Sequence, residues 1–379
     1  MTLTDLRTPA VLIDKLRALR NIDRMQTAAS ARGIRMRPHA KTHKSPIIAR
    51  WQIERGAVGI CCAKLGEAEV FADAGISDIR IPYPLNPANA DRLIALAQRV
   101  RLSFIVDHAA VAEAWSRALH AAAVAVDVLV KIDVGFHRCG IDPAPETAVP
   151  FIRHVAGLPG LHLRGLLSHA GQAYHAHSEA DLREMATSEA RTLVQLAEGA
   201  RAVGIVVEEL SAGATPTARY SLQQDGLIEY RAGNFAYFDR TQVGLGAATF
   251  DDCALTVLAR VVSKPASDRI ILDAGSKTLS SDGARGFEAA PGYGAVCRLP
   301  DGGGPASPLQ VIPILLIERL SEEHATVRVT DGATPLEPGD LVRVLPNHSC
   351  VVSNLVDQAW LVDEGDVCAL PIAARGRIS

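Results

Sequence analysis

The apolar residues of this 379-residue chain fall into two successive patterns. Over the first two-thirds, short runs rich in β-branched residues alternate with stretches of helical spacing. Eight runs predict strands at 34–37, 59–63, 79–82, 102–107, 126–134, 163–169, 207–212 and 227–232. The clearest helices between them are 91–101 and 179–203, the second opened by Ser178 as an N-cap. Each strand run is nearly continuous in apolar residues, the pattern of parallel strands buried on both faces. Eight strand–helix units in series predict an α/β fold, a (β/α)8 TIM-type barrel. The competing doubly wound open sheet has no G-x-G-x-x-G after its first strand to support it.

From about Asp251 the pattern changes. Short alternating runs follow one another at 255–262, 269–273, 309–317, 325–330, 341–345, 358–362 and 367–372. Turns rich in Gly and Pro, such as 300–305 and 337–340, separate them. This predicts a second, mostly β domain.

Composition narrows the class of protein. Apolar residues make up 48% of the chain and aromatics only 4%, so Ala, Val, Leu and Ile carry the core. The formal net charge is −3 with both signs interspersed, and no basic stripe points to nucleic acid. No apolar run reaches the length of a membrane span. The N-terminus lacks the basic-then-apolar signature of a signal peptide. The seven cysteines form no C-x-x-C motif, which predicts free thiols in a reducing cytoplasm.

In a (β/α)8 barrel the active site lies at the C-terminal strand ends, so reactive groups are sought there. The first strand runs into Arg37-Pro38-His39-Ala40-Lys41-Thr42-His43-Lys44. A lysine acts as a Schiff-base nucleophile when burial and neighbouring cations hold part of it neutral. Lys41 has His39, His43 and Lys44 beside it; the plain alternative is a solvated basic turn. The fifth strand runs into Arg138, suited to an anionic oxygen or to a structural ion pair. The sixth ends at His169, with His175 and His177 beyond. The seventh and eighth run into the glycine-bearing turns 213–217 and 233–234, where backbone N–H groups commonly hold phosphate. In the second domain, His348 and Cys350 are two apart. On a strand or extended loop they would share a side, as two ligands of an open zinc-like site. A buried cysteine beside a surface histidine is the competing reading.

Together these segments resemble a known family. The first two-thirds resemble the alanine racemase-type barrel, fold type III of the pyridoxal-phosphate (PLP) enzymes. The closer likeness is to its D-threonine aldolase and D-serine dehydratase branch. The likeness rests on Thr8-Pro9-Ala10-Val11-Leu12-Ile13-Asp14, the Arg37-to-Lys44 signature, Gly59-Ile60-Cys61-Cys62-Ala63-Lys64 and Lys131-Ile132-Asp133-Val134-Gly135-Phe136-His137-Arg138-Cys139-Gly140. It continues through the run from Arg231 to Asp239, Leu272-Asp273-Ala274-Gly275-Ser276-Lys277 and Pro346-Asn347-His348-Ser349-Cys350. The resemblance implies that Lys41 carries PLP covalently, that Arg138 faces the cofactor ring, and that the backbones of Gly213 to Thr215 and of Gly233 and Asn234 hold the phosphate. His39, Ser211 and Tyr237 complete the expected cofactor shell. His348 and Cys350 are implied as ligands of a catalytic divalent metal, manganese or zinc, with magnesium or cobalt as alternatives. The N-terminal strand is implied to join the second domain, giving a barrel of 15–250 and a β domain of 1–14 plus 251–379. A homodimer is implied as well.

The implied chemistry acts on D-β-hydroxy amino acids and forks. Retro-aldol cleavage needs a base for the hydroxyl proton. His175, six residues beyond His169, stands where D-threonine aldolases carry a histidine implicated in that role, and imidazole suits it by titrating near neutrality. Dehydration needs a base for the α-proton, and a cysteine at the second metal position is more typical of D-serine and D-3-hydroxyaspartate dehydratases. The reading adopted is the aldolase, with catalytic Lys41, His175, His169 and Arg138. Dehydration stays open, as does the choice among His169, His175 and His177. A non-catalytic PLP carrier on a lone barrel would lack the β domain and its metal pair. Racemisation would need a second base such as Tyr293, whose sequence context has no racemase-like features.

Overall fold

The computed structural model describes residues 2–299 and 308–379; the turn expected at 300–305 lies outside them. The chain opens with β1 (Ala10–Asp14) and then lays down eight strands: β2 (Arg35–Met36), β3 (Ile60–Cys61), β4 (Asp78–Pro84), β5 (Arg101–Val106), β6 (Val126–Lys131), β7 (Leu161–Leu167), β8 (Glu209–Ala212) and β9 (Glu229–Tyr230). They pair in parallel in the order β2-β9-β8-β7-β6-β5-β4-β3. A parallel bridge between His39 and Cys61, with the Cys61 N–H donating to the Pro38 carbonyl at 2.8 Å, joins the two edges and closes the (β/α)8 barrel.

Helix Glu179–Ala202 shows how the outer layer forms. The Ser178 hydroxyl accepts from the Asp181 N–H at 3.2 Å, satisfying a donor that the first turn leaves over. Leu182, Ala186, Leu193 and Leu196 recur at helical spacing and are buried. The helix expected at 91–101 is shorter, Ala90–Ala97. The Gln98 N–H closes it on Ile94, and the Arg101 N–H already bonds the Ser77 carbonyl as β5 begins.

The barrel interior departs from the apolar filling that the continuous runs imply. Arg80 on β4 reaches across to both Glu209 on β8 and Glu229 on β9. Arg37 donates to Glu229 at 2.7 Å, and Ser211 donates to the same carboxylate at 2.8 Å. The Arg231 Nε donates to Ser211 at 2.7 Å, and its Nη2 donates to the Ser168 carbonyl. Burial raises the Glu229 pKa, but the Arg80 and Arg37 charges outweigh it and bring the carboxyl down to about 2. An ionised network thus fills the axis beside a small apolar cluster of Ile105, Leu129 and Leu167.

The second domain contains β10 (Leu255–Ala266), β11 (Arg269–Leu272), β12 (Ala295–Arg298), β13 (Val311–Leu320), β14 (Ala325–Val329), β15 (Leu341–Leu345), β16 (Gln358–Asp363) and β17 (Asp366–Pro371). Strands β10, β11, β14, β13, β12 and β15 pair antiparallel in a closed ring. β1 adds to β10 antiparallel and to β16 in parallel, so the chain visits this sheet before it enters the barrel. β12 was not expected from the sequence: it has four residues behind Gly292 and Gly294, and its pairing to β13 and β15 makes it a strand. Among the described residues no helix is long and apolar enough to cross a membrane, and all seven cysteines are unpaired.

Candidate active site

The C-terminal ends of the barrel strands and a face of the second domain enclose a cavity of about 210 Å³. Three groups of predicted residues line it: His39 and Lys41 after β2; Arg138 after β6 with His169 and His175 after β7; and Gly213, Thr215, Gly233 and Asn234 after β8 and β9. His348 and Cys350 line it from the second domain.

Lys41 is held by a short 3₁₀ turn, Ala40–Thr42, that breaks the chain as it leaves β2. Its N–H donates to the His39 Nδ1 at 3.3 Å, so that imidazole accepts there. Burial, followed by the Lys41 charge, holds His39 well below its usual pKa. Behind this turn Gly233 packs so closely that a Cβ would stand 2.5 Å from the His39 carbonyl oxygen, and only glycine fits. Lys131 is a second amine on the wall. Burial and then the Arg231 charge push it down to about 8, and it donates to the Ile132 carbonyl at 3.0 Å.

Among the described residues, the backbone N–H groups of Gly213, Thr215, Gly233 and Asn234 donate to no protein acceptor. Four unpaired donors in two turns that line one cavity fit an anion such as a phosphate. With a primary amine in the same cavity, the donor set suits a phosphorylated aldehyde.

His169 and His175 differ in setting. The His169 Nδ1 is 2.5 Å from the Gly213 carbonyl, which only accepts, so Nδ1 carries the proton. Burial and the Lys41 charge hold the ring well below its usual pKa, leaving an unprotonated Nε2. Phe136 packs edge-to-face on it at 6.2 Å. His175 ends the 3₁₀ turn Gly171–His175, is exposed, and pairs with nothing among the described residues. His177 does not line the cavity; its N–H donates to Asp181 at the start of the following helix.

The pair in the second domain is built differently from expectation. Cys350 lies in helix Ser349–Leu355 and His348 is its N-cap, so a helix start brings them together and strand alternation plays no part. The barrel fixes this start. Asp239 accepts from the Ser349 N–H at 3.0 Å and from Asn234 at 2.6 Å, and the Thr241 hydroxyl donates to the Asn347 carbonyl at 2.8 Å. The Asp282 carboxylate lies 2.6 Å from the His348 Nδ1. Burial lowers the His348 pKa, but the Cys350 hydrogen bond and charge, with Asp239 and Asp282, push it up to about 10. Burial raises the Cys350 thiol, yet His348 and Lys41 bring it below its usual value. Such an electronegative corner, with a carboxylate orienting the histidine, fits a cation with two protein donors. Among the described residues no group of three His, Cys, Asp or Glu forms a complete metal cage.

Two predicted residues lie beneath the wall instead of on it. Ser211 is fully buried, and its hydroxyl is taken up by Glu229 and Arg231. Tyr237 is also fully buried, packed edge-on against His43 at 6.5 Å, and its hydroxyl meets no described protein partner. Sequence reasoning passed over Asp282, Asp239, Lys131 and Arg231. Asp282, followed by Gly283, reads locally as a turn, and the other three lie in segments quoted for the family without a role.

A (β/α)8 barrel with a lysine at its mouth, joined to an antiparallel β domain that shares the cavity, defines the fold type III class of PLP proteins. The alanine racemase N-terminal domain profile matches residues 13–241, and the putative serine dehydratase domain profile matches 254–362. D-threo-3-hydroxyaspartate dehydratase of Delftia sp. (strain HT23) is 36% identical over 92% of both chains. D-threonine aldolase of Arthrobacter sp. is 33% identical over 97% of this chain and 93% of the relative. The solved Delftia dehydratase superposes with a TM-score of 0.90, covering 98% of each chain at 34% identity. That dehydratase has also been solved as a histidine-to-alanine variant and, in a metal-free form, as a cysteine-to-alanine variant, at positions two apart. The chain belongs to the D-threonine aldolase and D-serine dehydratase family of alanine racemase-type lyases.

Proposed function

We propose that this lyase depends on PLP and a divalent metal and cleaves D-β-hydroxy amino acids by retro-aldol chemistry, D-threonine giving glycine and acetaldehyde. One observation carries the reading: the Lys41 amine, the unpaired His175 ring and the His348–Cys350 pair line a single cavity. PLP, when bound, supplies a sink for the electron pair left on Cα. A cation at His348 and Cys350, manganese or zinc before magnesium or cobalt, supplies a Lewis acid for the β-oxygen.

The residues then have separate tasks. Lys41 holds the cofactor, Arg138 meets its ring, His39 flanks it, and the N–H groups of Gly213, Thr215, Gly233 and Asn234 bind its phosphate. Ser211 and Tyr237 support this wall from beneath. His175, free to approach from the mouth, accepts the β-hydroxyl proton as Cα–Cβ breaks. His169 offers its Nε2 beside Lys41 as an acceptor. The reading includes a cytoplasmic homodimer with neither nucleic-acid nor membrane partners. Dehydration is the second reading, favoured by the sulfur ligand Cys350 and by the relative that is a dehydratase.

Incubation with D-threonine, D-serine, D-phenylserine and D-3-hydroxyaspartate separates the two. Glycine is the expected product, and ammonia with a 2-oxo acid would replace cleavage by dehydration. Exhaustive chelation is expected to stop turnover while leaving the cofactor spectrum in place; full activity after chelation would remove the metal from the mechanism. His175→Ala is expected to lower the kcat of cleavage by roughly a hundredfold or more, the usual worth of a general base, without loss of bound PLP. An unchanged kcat would move the proton to His169.

A further inference from the structure

The cavity contains one cation that the tasks above leave unused. Arg285 is exposed, lines the cavity, and makes no hydrogen bond or ion pair with any described residue. The other cations of the wall are occupied. Lys41 and Arg138 are assigned to the cofactor, Lys131 is bound to the Ile132 carbonyl, and Arg231 is held by Ser168 and Ser211.

The segment that carries Arg285 is clamped at both ends. Upstream, the Asp282 carboxylate meets His348 at 2.6 Å, and the Asp282 carbonyl accepts from the Asn347 side chain at 2.9 Å. Downstream, Gly286 (φ 106°) passes so near Gly244 that a Cβ would stand 2.4 Å from that residue's carbonyl carbon. Phe287 then packs against a small apolar cluster that includes Tyr220 and Ala173, the latter in the 3₁₀ turn that ends at His175. The guanidinium therefore springs from a fixed backbone between the His348 corner and the His175 turn.

These two flanks are the groups assigned to the β-oxygen of the substrate. A second substituent on that β-carbon would lie in the part of the cavity whose wall also carries Arg285. We propose that Arg285 is a specificity-determining residue that binds an anionic β-substituent, so that the site prefers a D-β-hydroxy dicarboxylate such as D-3-hydroxyaspartate over D-threonine. Arginine pairs with carboxylate through two parallel N–H···O bonds, a planar fork that lysine does not reproduce. A methyl group in that place leaves the guanidinium without a partner, which is how a polar subsite discriminates. The inference rests on the lyase reading above for the position of the β-carbon.

The test compares kcat/KM for D-threo-3-hydroxyaspartate and D-threonine in the PLP- and manganese-loaded wild type, Arg285→Ala and Arg285→Lys. The wild type is expected to favour the dicarboxylate. Arg285→Ala is expected to cut that preference by roughly ten- to a hundredfold, mainly through KM, with Arg285→Lys recovering part of it. Equal losses on both substrates would overturn the proposal, because they would place Arg285 on the α-carboxylate that both share. Calorimetry with D-malate and D-lactate, which need no turnover, provides an independent arm. D-malate is expected to bind the wild type more tightly than Arg285→Ala, while D-lactate binds both alike; equal D-malate affinities would also overturn it. If the wild type turns over no β-hydroxy amino acid yet D-malate binding still depends on Arg285, the lyase reading fails and the anion subsite stands.

Discussion

Lys41→Ala is expected to abolish the visible absorption of bound PLP and to lower turnover on the order of a thousandfold or more, since in the proposed function this amine is the covalent anchor. The side chain is positioned by the turn Ala40–Thr42, with His39 beside it and no acidic partner among the described residues. Other lysines are poorly placed to replace it. Lys44 is buried in an ion pair with Glu67, and the Lys64 ammonium lies over the Tyr83 ring at 3.8 Å. Lys131 is the other amine on the cavity wall. A cofactor band that survives Lys41→Ala and disappears in Lys41→Ala/Lys131→Ala would therefore transfer the anchor to Lys131. Absorption spectra of the dialysed proteins, with borohydride trapping and peptide mapping, decide the matter.

Glu229→Gln is expected to destabilise the fold by about 1–3 kcal/mol, because it removes the charge of the carboxylate that two buried arginines share and leaves Arg37 with Asp78 alone and Arg80 with Glu209 alone. Glu229 is fully buried, and Arg37 and Arg80 are nearly so. The effect also has a pH signature. The carboxyl has a folded-state pKa of about 2 against 4.5 for the free group, so its ionised form stabilises the fold. That contribution is complete above the unfolded value and is lost as pH falls from 4.5 towards 2. The stability gap between wild type and Glu229→Gln should accordingly be widest near neutrality and narrow through that window. Denaturant melts at pH 7 and pH 4 measure it. A gap below about 1 kcal/mol at pH 7 would mean that water or rearrangement already compensates the two guanidinium groups. A leucine in place of the glutamate should be worse still, since it also removes the acceptor for Ser211.

The two predictions probe different layers of the same barrel, and the layers were not equally legible. The eight parallel strands announced themselves because strands covered on both faces by their own fold need continuous apolar runs, and the change to short alternating runs near Asp251 marked the second sheet in the same way. Strand bounds were less exact. β2 and β9 shrink to two residues each, and β6 stops at Lys131, because hydrogen-bond pairing around a tilted barrel decides where a strand ends. The short strand β12 had too few residues to show a period and exists through its two neighbours.

The site shows the same division. The order of strands was enough to place Lys41, His39, Arg138, His169, His175 and the two glycine turns at one end of the barrel, where they line the cavity, because a strand's C-terminal end in such a barrel always faces one side; the tasks expected of them came from the family resemblance. Local sequence could not separate His175 from His177. The 3₁₀ turn Gly171–His175 places the first on the cavity wall, and the start of the next helix carries the second away. Nor could it show that Ser211 belongs to the buried ion network instead of the cavity. Periodicity, turn chemistry and residue type are short-range properties, so the chain determined by itself a barrel, a following β domain and the strand ends where chemistry could sit. Asp239 reaching Ser349 and Asp282 reaching His348 join residues 110 and 66 positions apart. Pairing across such separations has no local signature, and only the packing of one domain's mouth against the other decided it.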